Sequence, residues 1–308
     1  MLALTTTGNA DLLTLTEVPE PEPLASEAIV SVTTTSLNRG EIARSATSPV
    51  GWRPGWDIVG VVEREAAAGG GPPAGTTVVG LSNTGGWAER VAMPVDFLAA
   101  VPEGVPAAQA ACLPVAGITA FRTLALGGFP VGKRVLVTGA SGGVGQLAVQ
   151  LARSVGMTVT GLIRNPESSP VAVAACHHVI RDIGEAQGPF DHVLDGVGGS
   201  VLTRCLEVVA ARGLVVSYAS TLLDPAALGP RWFGAHLGAS LRSFLVFDEM
   251  HYTRSASADL NALCALVAAG TLSSHIDVQA DWSRAGELAR DLLDRRVTGK
   301  VVLDVGTR

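Results

Sequence analysis

Residues able to do chemistry concentrate first in Val135-Leu136-Val137-Thr138-Gly139-Ala140-Ser141-Gly142-Gly143-Val144-Gly145. Four β-favouring residues run into a cluster of glycines, and the cluster runs into the helix-like stretch 146–155. That succession reads as a buried parallel strand, a tight turn and a helix N-terminus. Free backbone N–H groups and the positive end of a helix dipole suit a pyrophosphate. Gly139, Gly142 and Gly145 give G-x-x-G-x-x-G, one residue off the commoner G-x-G-x-x-G of dinucleotide sites. A bulkier residue at Gly142 or Gly145 holds phosphates or helix away from the turn.

A second chemical position follows at the end of the next strand. Dinucleotide sites that prefer NADH place an Asp or Glu there, accepting from the ribose hydroxyls. This chain has Leu162-Ile163-Arg164-Asn165. The Arg164 guanidinium suits a 2′-phosphate, which favours NADPH; a solvated surface arginine is the alternative. His177-His178 has no Cys or carboxylate at metal spacing and reads as a surface pair. No G-x-S-x-G elbow occurs, so hydrolase chemistry has no support.

The elements that must position these residues change texture along the chain. Up to about residue 100 the chain reads as short strands, 28–34, 57–62 and 76–81, broken by turn residues. Pro19, Pro21 and Pro23 exclude regular structure before the first strand, and 66–75 is a loop on composition. Alanine-rich helices at 107–111 and 118–126 lead into the glycine turn. Strands at 159–163, 179–180, 193–195, 214–218 and 243–247 follow, with a helix at 202–211. That alternation means an α/β doubly wound parallel sheet. The last strand, 301–303, cannot extend a finished sheet of that kind and is expected to rejoin the first domain.

Composition sets the outer bounds. The chain has 308 residues, 47% hydrophobic and 16% charged, with a formal net charge of −6. Two domains and a sizeable core are expected. The acidic balance argues against nucleic acid or an anionic membrane as partner. No apolar run reaches the roughly 20 residues that span a bilayer, and the N-terminus lacks the layout of a signal peptide. Cys112, Cys176, Cys205 and Cys264 form no C-x-x-C pair, so a reduced, cytoplasmic protein is the simpler reading.

Seven ordered motifs resemble those of the zinc-independent medium-chain dehydrogenase/reductases, the quinone oxidoreductase (zeta-crystallin-like) family. They are Ser36-Leu37-Asn38-Arg39-Gly40-Glu41, Arg53-Pro54-Gly55-Trp56-Asp57-Ile58-Val59-Gly60, Gly86-Trp87-Ala88-Glu89 and Ala116-Gly117-Ile118-Thr119-Ala120, followed by the 138–145 turn, Asp195-Gly196-Val197-Gly198-Gly199 and Gly299-Lys300-Val301-Val302. The resemblance implies a GroES-like β-barrel domain, 1–110 completed by 256–308, and a Rossmann NADP(H)-binding domain, 111–255, with the cofactor in the cleft. It implies that Asn38 and Thr119 approach the nicotinamide half and that Lys300 lies near the cofactor. The backbones of Val197, Tyr218, Phe244, Leu245 and Val246 wall it in, and Asn165 and Ser217 are further cofactor-binding candidates. Zinc relatives carry a Cys near the position of Asn38 and a His near Trp56, and neither is present here.

Without a Lewis acid, a plain ketone lacks stabilisation for its oxygen charge, whereas a quinone or α,β-unsaturated carbonyl spreads that charge over a conjugated anion. Asn38 is the candidate hydrogen-bond donor, with a structural Asn bonding a turn backbone as the alternative. Trp52, Trp56 and Trp87 are candidates for an aromatic slot, or else packing residues. Asp57 is read as stabilising the barrel turn. Some relatives use a tyrosine before the P-G segment; this chain has Thr47-Ser48-Pro49-Val50-Gly51-Trp52 there. The expectation is an NADPH-dependent quinone or enone reductase acting on a small molecule, homodimeric through 243–247. A reductase tailoring a biosynthetic enone and a non-catalytic NADPH-binding sensor are the rivals.

Overall fold

The computed structural model describes residues 1–306 apart from 223, 254 and 255. They fall into two compact units, the first formed by Met1–Ile118, Met250–Gly270 and the stretch from Ile276 onward, the second by Thr119–Glu249 and Thr271–His275.

In the first unit, β1 (Leu2–Thr6) and β2 (Leu13–Glu17) pair as a two-stranded antiparallel ribbon. Next come β3 (Glu27–Leu37), α1 (Arg39–Ser45), β4 (Asp57–Arg64), β5 (Thr77–Leu81), β6 (Arg90–Pro94) and β7 (Leu98–Ala100). The β-branched run of β3 buries most of its length, so both of its faces are covered. Register shifts bend β3 against β4, and the curvature brings Gly60 so close that a Cβ there would lie 2.1 Å from the Ser31 carbonyl oxygen. Two helices follow, α2 (Ala107–Ala111) and α3 (Pro114–Ala125), and the division between units falls within α3.

The second unit is built from β8 (Arg134–Val137), α4 (Gly143–Ser154), β9 (Thr158–Leu162), α5 (Pro170–Ala175), β10 (His178–Ile180), β11 (Phe190–Asp195), α6 (Gly199–Val208), β12 (Val209–Ser217), α7 (Trp232–Ala235) and β13 (Ser240–Ser243). Its six strands are parallel in the order β10-β9-β8-β11-β12-β13, a doubly wound α/β sheet. Val135, Leu136 and Val137 of the central β8 are fully buried, as a strand covered by helices on both faces requires. On its buried side α4 carries Leu147, Ala148, Leu151 and Ala152.

Two sequence expectations need correction. The helix expected at 202–211 stops at Val208, because Val209 already pairs with Phe190 as the start of β12. The strand expected at 243–247 lies earlier, at Ser240–Ser243. Its neighbour β12 ends at Ser217, whose carbonyl takes the Phe244 N–H at 2.9 Å, so nothing remains for residues beyond to pair with. The apolar run instead enters α8 (Val246–Thr253), with Asp248 and Glu249 in its first turn where the dipole favours acid.

The chain then adds α9 (Ala256–Ala268), β14 (Ile276–Asp281), α10 (Ala285–Leu293) and β15 (Lys300–Asp304). β15 pairs parallel with β14 and antiparallel with β3, giving the first unit a seven-stranded sheet along β14-β15-β3-β4-β5-β7, with β6 also on β3. Among the described residues no helix is long and apolar enough to cross a membrane.

Candidate functional site

In the second unit, the chain winds outward in one direction from β8 and in the other from β11. Sheets of this order bind ligands at the carboxyl ends of that central pair. Both ends carry glycine turns. After β8, Gly139 has φ +59, a left-handed conformation that favours glycine. A Cβ on Gly145 would lie 2.3 Å from the Gly139 carbonyl oxygen and 2.7 Å from Ala140 Cα, so α4 descends directly onto the turn. Ala140 is fully buried, whereas Ser141, Gly142, Gly143 and Val144 have surface access. The first bond inside α4 runs from Gln146 N–H to the Gly142 carbonyl, and the N–H groups of Gly143, Val144 and Gly145 have no intrahelical acceptor.

After β11 comes the second turn, bound to the first through one hydroxyl. Thr138 Oγ1 donates to Asp195 Oδ1 at 2.6 Å and accepts from the Gly196 N–H at 3.0 Å. Asp195 also accepts from the N–H groups of Val197 at 3.2 Å and Gly198 at 3.0 Å. Burial pushes the Asp195 carboxyl up from its ordinary value, and these bonds pull it back. Val197 Cγ2 is 3.5 Å from where Gly139 would carry a Cβ. Tyr218 follows β12, donates its N–H to the Asp195 carbonyl and lays its phenol over Gly196, where a Cβ would be 2.5 Å from Oη. Burial, with the nearby Asp195 carboxylate, pushes that phenol up.

The other candidates in this unit lie beyond β9, beyond β13 and in α3. Arg164 and Asn165 are exposed just beyond β9, and the Asn165 carbonyl accepts from Ser168. Phe244 and Val246 are buried while Leu245 is 60% exposed. Thr119 is buried in α3, its carbonyl taking the Thr123 hydroxyl at 2.6 Å.

In the first unit, Asn38 and Lys300 come together. Asn38 stands at the N-cap of α1 and Glu41 at its third position, the spacing of a capping box, yet Asn38 makes no cap bond. Its Nδ2 donates to Asp57 Oδ2 at 2.8 Å, and its Oδ1 accepts from Lys300 Nζ at 2.8 Å. Lys300 Nζ also reaches the Leu37 carbonyl at 3.1 Å and Asp57 Oδ2 at 3.3 Å. Asp57 is fully buried and accepts from Ser36 Oγ at 2.5 Å and the Val115 N–H at 2.9 Å. Glu41, also fully buried, accepts the Gly55 N–H at 2.9 Å through Oε1, while no hydrogen-bond partner meets Oε2. Burial first, and the Asp57 charge second, push the Glu41 carboxyl well above its ordinary value.

The three tryptophans have different surroundings. Trp87 is wholly buried in the first unit's core and Trp56 nearly so, whereas Trp52 lies under the Arg44 guanidinium at 5.1 Å. Sequence reasoning did not single out Glu41, Asp57, Thr138 or Asp195 as site residues. The available signal was a carboxylate opening the apolar strand Asp57-Ile58-Val59-Gly60-Val61-Val62, which demands buried partners.

The family described as "Zinc-binding dehydrogenase" matches residues 175–303. The 2-methylene-furan-3-one reductase of Solanum lycopersicum is 29% identical over 241 residues, covering 71% of this chain and 61% of the relative. The chloroplastic NADPH-dependent alkenal/one oxidoreductase of Arabidopsis thaliana is 28% identical over 240 residues, covering 71% and 62%. The chain therefore spans about three fifths of the length of these relatives. A mycobacterial quinone oxidoreductase has the same fold, with TM-score 0.86, 22% identity and 99% of each chain covered. The fold is thus α/β, a GroES-like sheet domain with a Rossmann doubly wound sheet. Over residues 175–303 the chain is similar to the zinc-binding dehydrogenase family, it resembles the two reductases in sequence, and it shares its fold with a quinone oxidoreductase.

The family's description names zinc, and the residues around Asn38 do not fit that ion. The amide oxygen and the Asp57 carboxylate are already engaged by the buried Lys300 ammonium, which would repel a dication. Among the described residues no three His, Cys, Asp or Glu side chains are grouped to hold a metal ion.

Proposed function

We propose that this protein is an NADPH-dependent reductase that delivers hydride to a quinone or an α,β-unsaturated carbonyl without a metal. The observation that carries the reading is the turn after β8, where the N–H groups of Gly143, Val144 and Gly145 open α4 without intrahelical acceptors. Such a turn holds a pyrophosphate through backbone donors and the helix dipole. Arg164, exposed beyond β9, is the guanidinium for a 2′-phosphate, with Asn165 beside it. Val197, Ser217, Tyr218, Phe244, Leu245, Val246 and Thr119 are read as flanking the nicotinamide end.

NADPH, when bound, supplies the hydride. The work of the chain is then to hold the charge that hydride leaves on the acceptor oxygen. Asn38 has a second N–H besides the one given to Asp57, beside the Glu41 carboxyl whose pKa its amide helps to lower, and that donor is assigned to the enolate or hydroquinone oxygen. A conjugated anion needs only such neutral donors, and solvent supplies the proton. Substrate contacts by Trp52 and Trp56 belong to the same reading. Trp87 is too deeply buried to add more than packing. We further read the unpaired edge of β13 as the seam of a homodimer, for which solution scattering is the test.

The testing experiment follows NADPH oxidation with a simple quinone, an enal and an enone, for the protein and for Asn38→Ala. Turnover with at least one acceptor, lowered in Asn38→Ala at little cost in NADPH affinity, is expected. NADPH binding without turnover on any of them favours the sensor reading instead.

A further inference from the structure

The Asn38 amide has two ends, and only one of them can stabilise a developing negative charge. Left to rotate, an asparagine side chain presents its carbonyl oxygen or its NH2 group with little preference. Here the surroundings remove that freedom. The Lys300 ammonium, which can only donate, sits 2.8 Å from Oδ1. An Asp57 oxygen, which accepts, sits 2.8 Å from Nδ2. Turning the amide over would press NH2 against the ammonium and the carbonyl oxygen against the carboxylate, two repulsive contacts in place of two charge-assisted bonds.

We propose that Lys300 and Asp57 are positioning residues that lock the Asn38 amide with its oxygen consumed and its NH2 group on the far side from the ammonium, so that Asn38 can act only as a donor. The inference deepens the reading of Asn38 given above and rests on it for its catalytic consequence, although the locking itself does not. Three further observations support it. Asn38 occupies the N-cap of α1 but gives the helix no cap bond, so its side chain is diverted to this pair. Lys300 is 2% exposed and Asp57 fully buried, which keeps water from competing for the amide. Both residues are anchored independently of Asn38, Lys300 by the Leu37 carbonyl and Asp57 by Ser36 Oγ and the Val115 N–H. The clamp is therefore in place before any ligand arrives, as preorganised charge stabilisation requires.

The test compares Lys300→Met, which keeps much of the length and loses the donor, with Lys300→Gln, which keeps a neutral donor. Two readouts are taken on folded protein. The first is the Asn38 side-chain NH2 pair in a ¹⁵N correlation spectrum, assigned by its loss in Asn38→Ala. Two separate, slowly exchanging resonances are expected in the wild type and in Lys300→Gln, and shifted or averaged ones in Lys300→Met. The second is a turnover cycle with NADPH and quinone. Lys300→Met should lower kcat by roughly tenfold or more, within the range seen when one oxyanion donor is lost, with little change in KM for NADPH. It should lower it no further in an Asn38→Ala background. Unmoved Asn38 resonances in Lys300→Met overturn the proposal, and so do additive losses in the cycle. If Asn38→Ala leaves turnover unchanged while the resonances behave as expected, the positioning stands and the catalytic reading of Asn38 falls. Should Lys300→Met not fold, Lys300→Gln decides alone: a retained NH2 pair supports the lock, and its loss overturns it.

Discussion

Thr138 Oγ1 and Asp195 Oδ1, 57 residues apart in sequence, are joined by a 2.6 Å hydrogen bond that ties together the turns following β8 and β11. The same hydroxyl accepts from the Gly196 N–H, so it serves both turns at once. Thr138→Val keeps the shape and removes the hydroxyl, leaving a buried carboxyl one donor short. It is expected to cost about 1–3 kcal/mol of stability and to weaken NADPH binding. Urea denaturation and a fluorescence titration with NADPH measure the two effects. Wild-type behaviour in both would show that the bond organises nothing.

The glycines of the first turn are not equivalent. A Cβ at position 145 would meet the Gly139 carbonyl oxygen at 2.3 Å, whereas one at 142 would meet it at 3.2 Å. Gly145→Ala is therefore expected to displace α4 and to raise the Kd for NADPH by about tenfold or more, on the scale of a lost charge-assisted contact. Gly142→Ala should have a smaller effect. The reverse order would mean that the ligand, and not the descent of α4 onto the turn, sets the need for glycine.

Arg164→Ala addresses the cofactor. If the guanidinium meets a 2′-phosphate, NADPH affinity should fall by roughly one to two orders of magnitude, the worth of a hydrogen bond to a charged group. NADH affinity should stay nearly constant. Equal losses for the two cofactors would refute the assignment.

Glu41 gives a pH test. Its carboxyl is held above its ordinary value, so the folded protein retains a proton that the unfolded chain releases. Stability associated with this group is fully present below the ordinary carboxylate value of 4.5 and is lost as pH rises toward the folded value. Glu41→Gln, neutral at every pH, should be increasingly more stable than the wild type between pH 5 and 8 in urea melts. A glutamine variant that loses stability at pH 8 would mean that Glu41 is ionised in the fold.

His192 works in the opposite direction. It is fully buried in β11, no hydrogen-bond partner meets either ring nitrogen, and burial lowers its pKa from 6.5 to about 4, with Lys133 adding to the shift. The unfolded chain therefore binds a proton between pH 6.5 and about 4 that the folded one refuses, and stability falls as pH falls through that window. The expected loss from pH 7 to pH 5 is roughly 2 kcal/mol. His192→Leu should lack that component, and an unchanged pH dependence would place the ring's protonation elsewhere.

Much of the second unit was readable in advance because its signals are local. The strand–glycine–helix succession at 135–155 declares itself within a score of residues, and the alternation of strands and helices declares the sheet. The strand misplaced at 243–247 shows the limit of such reading. Apolar residues there satisfy a strand pattern, but pairing depends on where β12 ends, which their own sequence does not contain. The first unit's site was legible only in part for the same reason. Asn38-Arg39-Gly40-Glu41 looks like a helix cap, and only the fold shows both side chains leaving that task for Asp57, Lys300 and the Gly55 N–H. Those partners lie between 14 and 262 residues away.

The position of β15 also governs how the chain can come into being. This strand lies inside its sheet, between β14 and β3, and carries Lys300. The Rossmann strands β8 to β13 are contiguous in the chain and can assemble while synthesis continues. The first sheet must wait for residues more than 260 positions after the start of β3, a non-local closure that contact-order arguments make slow. Until β15 emerges, β3 has an open edge on that side and Asp57 lacks its ammonium, so the first sheet stays incomplete until residues 300–304 are made.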